Sequence, residues 1–476
     1  MKRENFATKT AFMLAITFVV LLGLVVGCSE KKHPKTTYEI TAELDEKTMT
    51  VSGEIQVNYY NGAESSLDEV KFHLYPNAYK MGSFPIPSDQ LALTFPNGIN
   101  EGGIKISSVS VDGRKVECEG ADKQVLSVPA FVEPLGETEI QMDFVLKLPN
   151  CTHRLGFWEE NVNLGNWFPI VCIYKNGQWD EHTYSVFGDP FYSECADYSV
   201  NFTFPDGYEF AATGNAKVRG NTAKVTAKNV RDFAVCLTKN KEYSTTESGI
   251  KIKYYGADGE NKFLDTAVQA VNTFSKLFGK YPYDFLSVVK TSFFTGGMEY
   301  PGLIYVSDTL SESLTHEVIV HEIAHQWWYS AVGNDQVNEA WLDEGLTEFS
   351  TTLFYQHNPD YGVTRTARVA DAITSYMLYR ESHLAGGDER IARNLSEFRS
   401  NLEYTYMTYV KAGLMFESVC NLIGDDSFIK GLKSYYKAHK FSLATADDLI
   451  GCMERASKKS LKGIFSAWLD GQVKMY

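Results

Sequence analysis

Two periods of hydrophobicity divide the chain. Ile140, Met142, Phe144 and Leu146 alternate with Glu139, Gln141, Asp143 and Lys147, and Tyr198, Val200, Phe202 and Phe204 keep the same period of two up to Pro205. An apolar residue at every second position is the pattern of a strand with one buried face. Asp112-Gly113, between short apolar runs, marks a turn. Such runs extend from Tyr38 to about Thr245 and predict an antiparallel β domain, a saddle or sandwich, over residues 38–248. After Ser248-Gly249 the period changes. Phe263, Ala267, Val271, Phe274 and Leu277 fall at helical spacing and stop at Gly279 and Pro282. A strand-like Phe285–Val289 follows, and helical patterns then dominate to Tyr476. The expected fold class is α+β, with an α-rich second domain, 249–476, that opens on a small sheet.

The first residues carry a different pattern. Lys2, Arg3 and Lys9 precede an apolar run from Ala11 to Gly27, which has the n-region and h-region of a secretory signal. The run ends in Leu24-Val25-Val26-Gly27-Cys28, which resembles the lipobox of bacterial lipoproteins. That resemblance implies a signal peptide over 1–27, a lipid on Cys28 and a tether over 28–37. The body is then expected outside the cytoplasm, lipid-anchored to a bacterial membrane. An uncleaved transmembrane anchor is the alternative, and it places the body on the same side. Seven cysteines remain, an odd number with no close pair, so neither a disulfide framework nor a cysteine metal site is signalled. They are expected to be mostly buried apolar residues.

Composition narrows the function. With 44% hydrophobic and 22% charged residues the body reads as an ordinary globular protein. The net charge of −15 and the lack of a basic stripe exclude nucleic acid as an expected partner.

The sharpest chemical signal is His321-Glu322-Ile-Ala-His325 in an apolar helical stretch. On a helix, histidines four apart project from one face, imidazole suits zinc, and the glutamate between them can act on a water at the metal. One Zn2+ held this way needs a third protein ligand and one open position. Glu344, in Trp341-Leu342-Asp343-Glu344-Gly345, lies nineteen residues beyond His325 at the start of a second predicted helix, where an antiparallel return brings its carboxylate to the metal. His316 has no histidine partner at i+4, since position 320 is Val, and is left as a surface or supporting residue.

HExxH followed by Glu at this distance resembles the gluzincin family of zinc aminopeptidases, which includes membrane alanyl aminopeptidases and leukotriene hydrolase. Thr295-Gly296-Gly297-Met298-Glu299-Tyr300-Pro301 resembles the family's G-x-M-E-N strand, with Tyr300 in place of the usual Asn. The resemblance implies that Glu299 holds the free α-amine of the substrate and that the Gly296-Gly297 backbone pairs with an extended peptide. Tyr409-Val410-Lys411-Ala412-Gly413 resembles the family segment whose tyrosine donates to the oxyanion, a role that falls on Tyr409. Leu164-Gly-Asn-Trp167-Phe168-Pro169 matches a segment ending in Phe-Pro, and counting back from it without gaps puts the second amine-binding acid at Glu160. The likeness implies a thermolysin-like catalytic domain. The family's large C-terminal helical-repeat domain has no counterpart in the sequence, which implies a more open cleft.

The expected function is hydrolysis of the first peptide bond of peptides with a free N-terminus. Zn2+ on His321, His325 and Glu344 activates a water, and Glu322 is the general base. A carboxylate about one residue from the metal selects a charged N-terminus, which separates this reading from a zinc endopeptidase of thermolysin type. A catalytically idle, peptide-binding surface lipoprotein is the third reading, and it requires neither Glu322 nor Tyr409.

Overall fold

A computed structural model describes residues 35–382 and 387–474, and the leader, Cys28 and the tether up to residue 34 lie outside them. From Thr36 onward the chain folds as one compact unit. Strands fill the first half and helices most of the second, an α+β protein as the two periods predict.

The first half is built on an eight-stranded sheet. Its order across the sheet is 215–219, 222–230, 196–203, 37–45, 50–60, 137–147, 103–111 and 114–115. The period of two does the work expected of it: Val225, Val200, Ile40, Ile55, Met142 and Val109 are register partners in a continuous row, all buried. Asp112-Gly113 turns the chain at positive φ between the last two strands. One pairing departs from an all-antiparallel plan, because Thr37–Asp45 runs parallel to Ala196–Thr203. A four-stranded sheet (209–212, 235–238, 161–164, 155–158) leads from this half toward the cleft.

The second half opens on a five-stranded sheet ordered 241–247, 250–256, 285–291, 303–307 and 297–298. Its first two strands form a hairpin across Ser248-Gly249, so the change of period at 248 falls inside one sheet. Three helices follow that matter for the site: α1 (Lys262–Phe278), α2 (Glu312–Ala324) and α3 (Ala340–His357). α1 is amphipathic and buries Phe263, Ala267, Ala270, Val271 and Phe274. α2 starts at Ser311, whose hydroxyl accepts from the Leu314 amide. It buries residues on several sides because the sheet, α1 and α3 surround it.

Arg231 joins the two halves. Buried completely, it donates from Nε to the Tyr329 carbonyl at 2.9 Å, from Nη1 to Ser193 at 2.8 Å and from Nη2 to Ser442 at 3.0 Å. Gly333 makes room for it, since a Cβ there would overlap the guanidinium. No disulfide joins the cysteines among the described residues; Cys151, Cys172, Cys236, Cys420 and Cys452 are buried, and Cys118 and Cys195 half-buried. No helix among the described residues is long and apolar enough to cross a membrane.

Candidate metal and peptide site

One face of α2 floors a cleft of about 580 Å³. Leu314, Glu317, Val318, His321, Glu322 and His325 all line it, and their spacing of three and four is one stripe of a 3.6-residue helix. α3 lies beside α2 and contributes Glu344. The connection between them is longer than a turn and includes the short strand Val332–Gly333.

His321 Nε2, His325 Nε2 and Glu344 Oε2 converge: the two nitrogens are 3.2 Å apart, and the oxygen is 3.3 and 3.1 Å from them. The opposite nitrogens decide what these atoms are. His325 Nδ1 lies 3.0 Å from the Trp328 carbonyl, which only accepts, and His321 Nδ1 lies 3.4 Å from Glu348. Neutral imidazoles so placed carry their protons on Nδ1, and three lone pairs then face one another, an arrangement that needs a proton or a metal ion between them. Two ligands each about 2.0–2.2 Å from a tetrahedral ion stand roughly 3.3 Å apart, which is the edge length found here. The donor set and its spacing fit zinc.

Electrostatics point the same way. Burial pushes the Glu344 carboxyl up, yet His325 and His321 hold it well below the usual range. Burial pulls His321 down, but Glu344 and Glu348 raise it to about 10. A cation is the natural occupant of such a site. Glu348, one turn beyond Glu344, is in turn bound by Arg368 Nη2 at 2.8 Å.

Glu322 sits beside this centre. It is buried, and its Oε2 has no hydrogen-bond partner. Burial lifts its carboxyl to about 7, against the pull of the two imidazoles, and a base poised near neutrality is suited to shuttling a proton. Gly297 creates its space: a Cβ there would lie 2.7 Å from both Cγ and Cδ of Glu322. Gly297 and Met298 form the edge strand of the five-stranded sheet, paired on one side with Val306 and Tyr305, and Gly296 and Gly297 both line the cleft. Gln326, directly after the histidine motif, accepts from the Gly302 amide at 2.7 Å and so fastens this turn to α2.

Glu299 closes one end. It is buried, takes a hydrogen bond from Gln336 at 3.3 Å, and burial with the nearby Asp189 holds its carboxyl well above the usual range. Carboxylate oxygens of Asp189, Glu299 and Glu344 all lie within 4.8 Å of one another. Tyr300 turns the other way: its phenol donates to Asn166 at 3.2 Å and occupies the space over Gly165, where a Cβ would lie 2.6 Å from Cζ. The departure from Asn therefore locks the strand to the β-rich half and leaves the cleft alone.

Tyr409 stands on a π-helical turn, Tyr406–Lys411, a widening of the helix that recurs at functional sites. Its hydroxyl donates to Glu344 Oε1 at 2.6 Å. The approach is possible because Gly345 lets the next helix, Ala412–Ile423, come close; a Cβ on Gly345 would be 2.5 Å from that of Ala412. Tyr404, ring edge to face with Tyr409, also lines the cleft, and its buried hydroxyl has no partner.

Glu160 requires a correction. Trp158 pairs with Asn161, so Glu159 and Glu160 form a two-residue hairpin turn with Glu159 at positive φ. Turn side chains point outward, and Glu160 is exposed beside Lys239 at 3.7 Å, outside the cleft. The acid that the β-rich half does bring to the cleft is Asp189, paired with Arg154. It lies in an irregular stretch with no period to reveal it. Glu348 had a signal, being four residues from Glu344 on a predicted helix. His316 bonds Thr266 at 2.7 Å, away from the cleft.

The peptidase family M1 domain matches residues 263–468. Aminopeptidase N of Lactobacillus delbrueckii subsp. lactis is 27% identical over 245 residues, 47% of this chain and 29% of that protein. Aminopeptidase B of Mus musculus is 33% identical over 225 residues, 42% of this chain and 33% of that protein. The matches thus span a third or less of these relatives. A solved M1 zinc metallopeptidase from Deinococcus radiodurans shares the fold over 93% of this chain and 95% of its own, with a TM-score of 0.65 at 15% identity. Residues 263–468, which hold both histidines, the glutamate between them and the third glutamate, are thus similar to the peptidase family M1 domain.

Proposed function

We propose that this protein is a zinc-dependent aminopeptidase that hydrolyses the first peptide bond of peptides. One observation carries the choice of an exopeptidase: the Glu299 and Asp189 carboxylates stand within 4.8 Å of the Glu344 oxygen, one residue's length from where the reacting bond must lie. Two buried acids at that spot attract an α-ammonium group and leave no room for further residues upstream.

His321, His325 and Glu344 would hold one Zn2+, which when bound supplies Lewis acidity to a water and to the scissile carbonyl. Glu299 and Asp189 orient the substrate's amine. Glu322 takes a proton from the attacking water and returns it to the leaving amine. Tyr409 presents its phenol to the oxyanion, and the exposed edge of Gly296-Gly297 pairs with the extended peptide. Burial pushes the Asp189 carboxyl above its usual range, and Arg154 counters that shift and holds it in place. On the same reading the lipobox at Cys28 anchors the protein on the extracytoplasmic face of a bacterial membrane, which metabolic fatty-acid labelling of wild type and Cys28→Ala tests.

The activity is tested with an aminoacyl p-nitroanilide and its N-acetyl form, each with and without a chelator. Cleavage of the free-amine form alone, abolished by the chelator and restored by zinc, is the expected result. Equal cleavage of both forms overturns the exopeptidase reading, and cleavage that survives the chelator overturns the metal. Glu322→Gln should stop turnover with zinc still bound.

A further inference from the structure

The cleft is lined beyond the reacting centre by Leu93, Leu314 and Val318 as well as by the polar Gln90 and Glu317. Along its floor, Glu299 marks the amine end, Gly297 lies against Glu322, and Gly296 lies against Val318, where a Cβ would be 3.5 Å from Cγ2. The downstream part of a bound peptide therefore runs toward Val318 and, one helical turn further, Leu314. Phe294, beyond Gly296, donates its amide to the Thr152 carbonyl at 3.0 Å, and the Thr152 hydroxyl donates to the Leu93 carbonyl at 3.1 Å. That chain of bonds sets Leu93 on the same downstream stretch as part of the cleft wall.

Single exposed leucines are common and need no explanation. Here two of them, Leu93 at 65% exposure and Leu314 at 48%, line the same end of one cleft from separate segments. The one carboxylate between Leu314 and Val318 on the floor, Glu317, is held by Arg368 Nη1 at 2.7 Å, so the trough offers no unpaired charge from that position. From His321 to Leu314 the helix advances ~10 Å, and an extended peptide covers that in about three residues.

The geometry points to a downstream trough, formed by Leu93, Leu314 and Val318, that selects peptides whose second to fourth residues are apolar. This rests on the aminopeptidase reading above. Burying a leucine side chain against such walls gives about a tenfold gain in kcat/KM.

The test compares two tetrapeptides with the same first residue, Ala-Leu-Leu-Gly and Ala-Ser-Ser-Gly, with alanine p-nitroanilide alongside, on the zinc-loaded full chain. The expected kcat/KM ratio between the peptides is about ten or more, falling to about two in the Leu93→Ser, Leu314→Ser double variant. Both leucines are exposed, so the variant keeps its fold, and a thermal melt checks this. Anilide turnover with equal rates for the two peptides overturns the trough and leaves the aminopeptidase reading standing. An undiminished ratio in the double variant also overturns it. Absence of turnover on every free-amine substrate overturns both.

Discussion

Replacing Gly297 by alanine adds one methyl group at the point where the edge strand meets the general base. An ideal Cβ there lies 2.7 Å from both Cγ and Cδ of Glu322, whereas non-bonded carbons rest about 3.5–4.0 Å apart. The glutamate must retreat by about 1 Å. It cannot do so by swinging its tip alone, because Cγ is itself in the overlap. Misplacement of a catalytic group by about 1 Å costs on the order of 100-fold in rate, or about 2.7 kcal/mol of activation free energy. The expected result is a kcat reduced about 100-fold on an aminoacyl p-nitroanilide, with full zinc content and an unchanged melting curve. Gly296→Ala is the comparison, because its Cβ meets nothing closer than Val318 at 3.5 Å, and its loss should stay below about tenfold. A Gly297→Ala enzyme within about threefold of wild type at full zinc occupancy would refute the reasoning. So would loss of zinc in parallel with loss of rate, which would place the effect at the metal ligands.

Three other outcomes follow from the site. Tyr409→Phe removes the phenol that reaches Glu344 at 2.6 Å and should lower kcat by roughly 10²–10³-fold with little change in KM, measured by steady-state kinetics. Asp189→Asn should raise KM for free-amine substrates about tenfold, the equivalent of ~1.4 kcal/mol, while Glu160→Gln on its exposed turn should change neither KM nor kcat; a reversed pair would return the amine site to Glu160. Arg231→Met removes three donor contacts, two of them to buried carbonyls, and should lower unfolding stability by about 4 kcal/mol, read from urea melts at fixed zinc concentration.

What the sequence discloses depends on how local the information is. The ligand helix is legible because a 3.6-residue period alone places His321, Glu322 and His325 on one stripe, and Glu344 follows from a short return path. The alternation of Ile140 to Leu146 predicts a strand, and the strand is there. The partner of Thr37–Asp45 is a different matter, since nothing in either segment announces a parallel neighbour some 160 residues away. Glu160 fails for a similar reason. An ungapped count from Trp167-Phe168 cannot see that residues 159 and 160 turn a hairpin and face solvent. Asp189 lies in a stretch without periodicity and is held at the cleft by Arg154, 35 residues earlier. Tyr409, by contrast, is found from its neighbours in sequence, although the π-helical turn that aims it is visible only in three dimensions.

The fit of Tyr300 over Gly165 ties two distant positions into one unit of change. A side chain at 165 has no place while the phenol is present, so any substitution there must wait for a smaller residue at 300. The order in which the two change is thereby constrained: Tyr300→Asn, the usual residue in the resembled motif, removes the closer obstruction and leaves a Cβ at 165 facing only the Arg154 carbonyl at 2.9 Å, whereas the reverse sequence passes through a chain in which the phenol has no place. The glycine in the β-rich half is in this sense part of the inheritance of the amine site, although it touches no substrate.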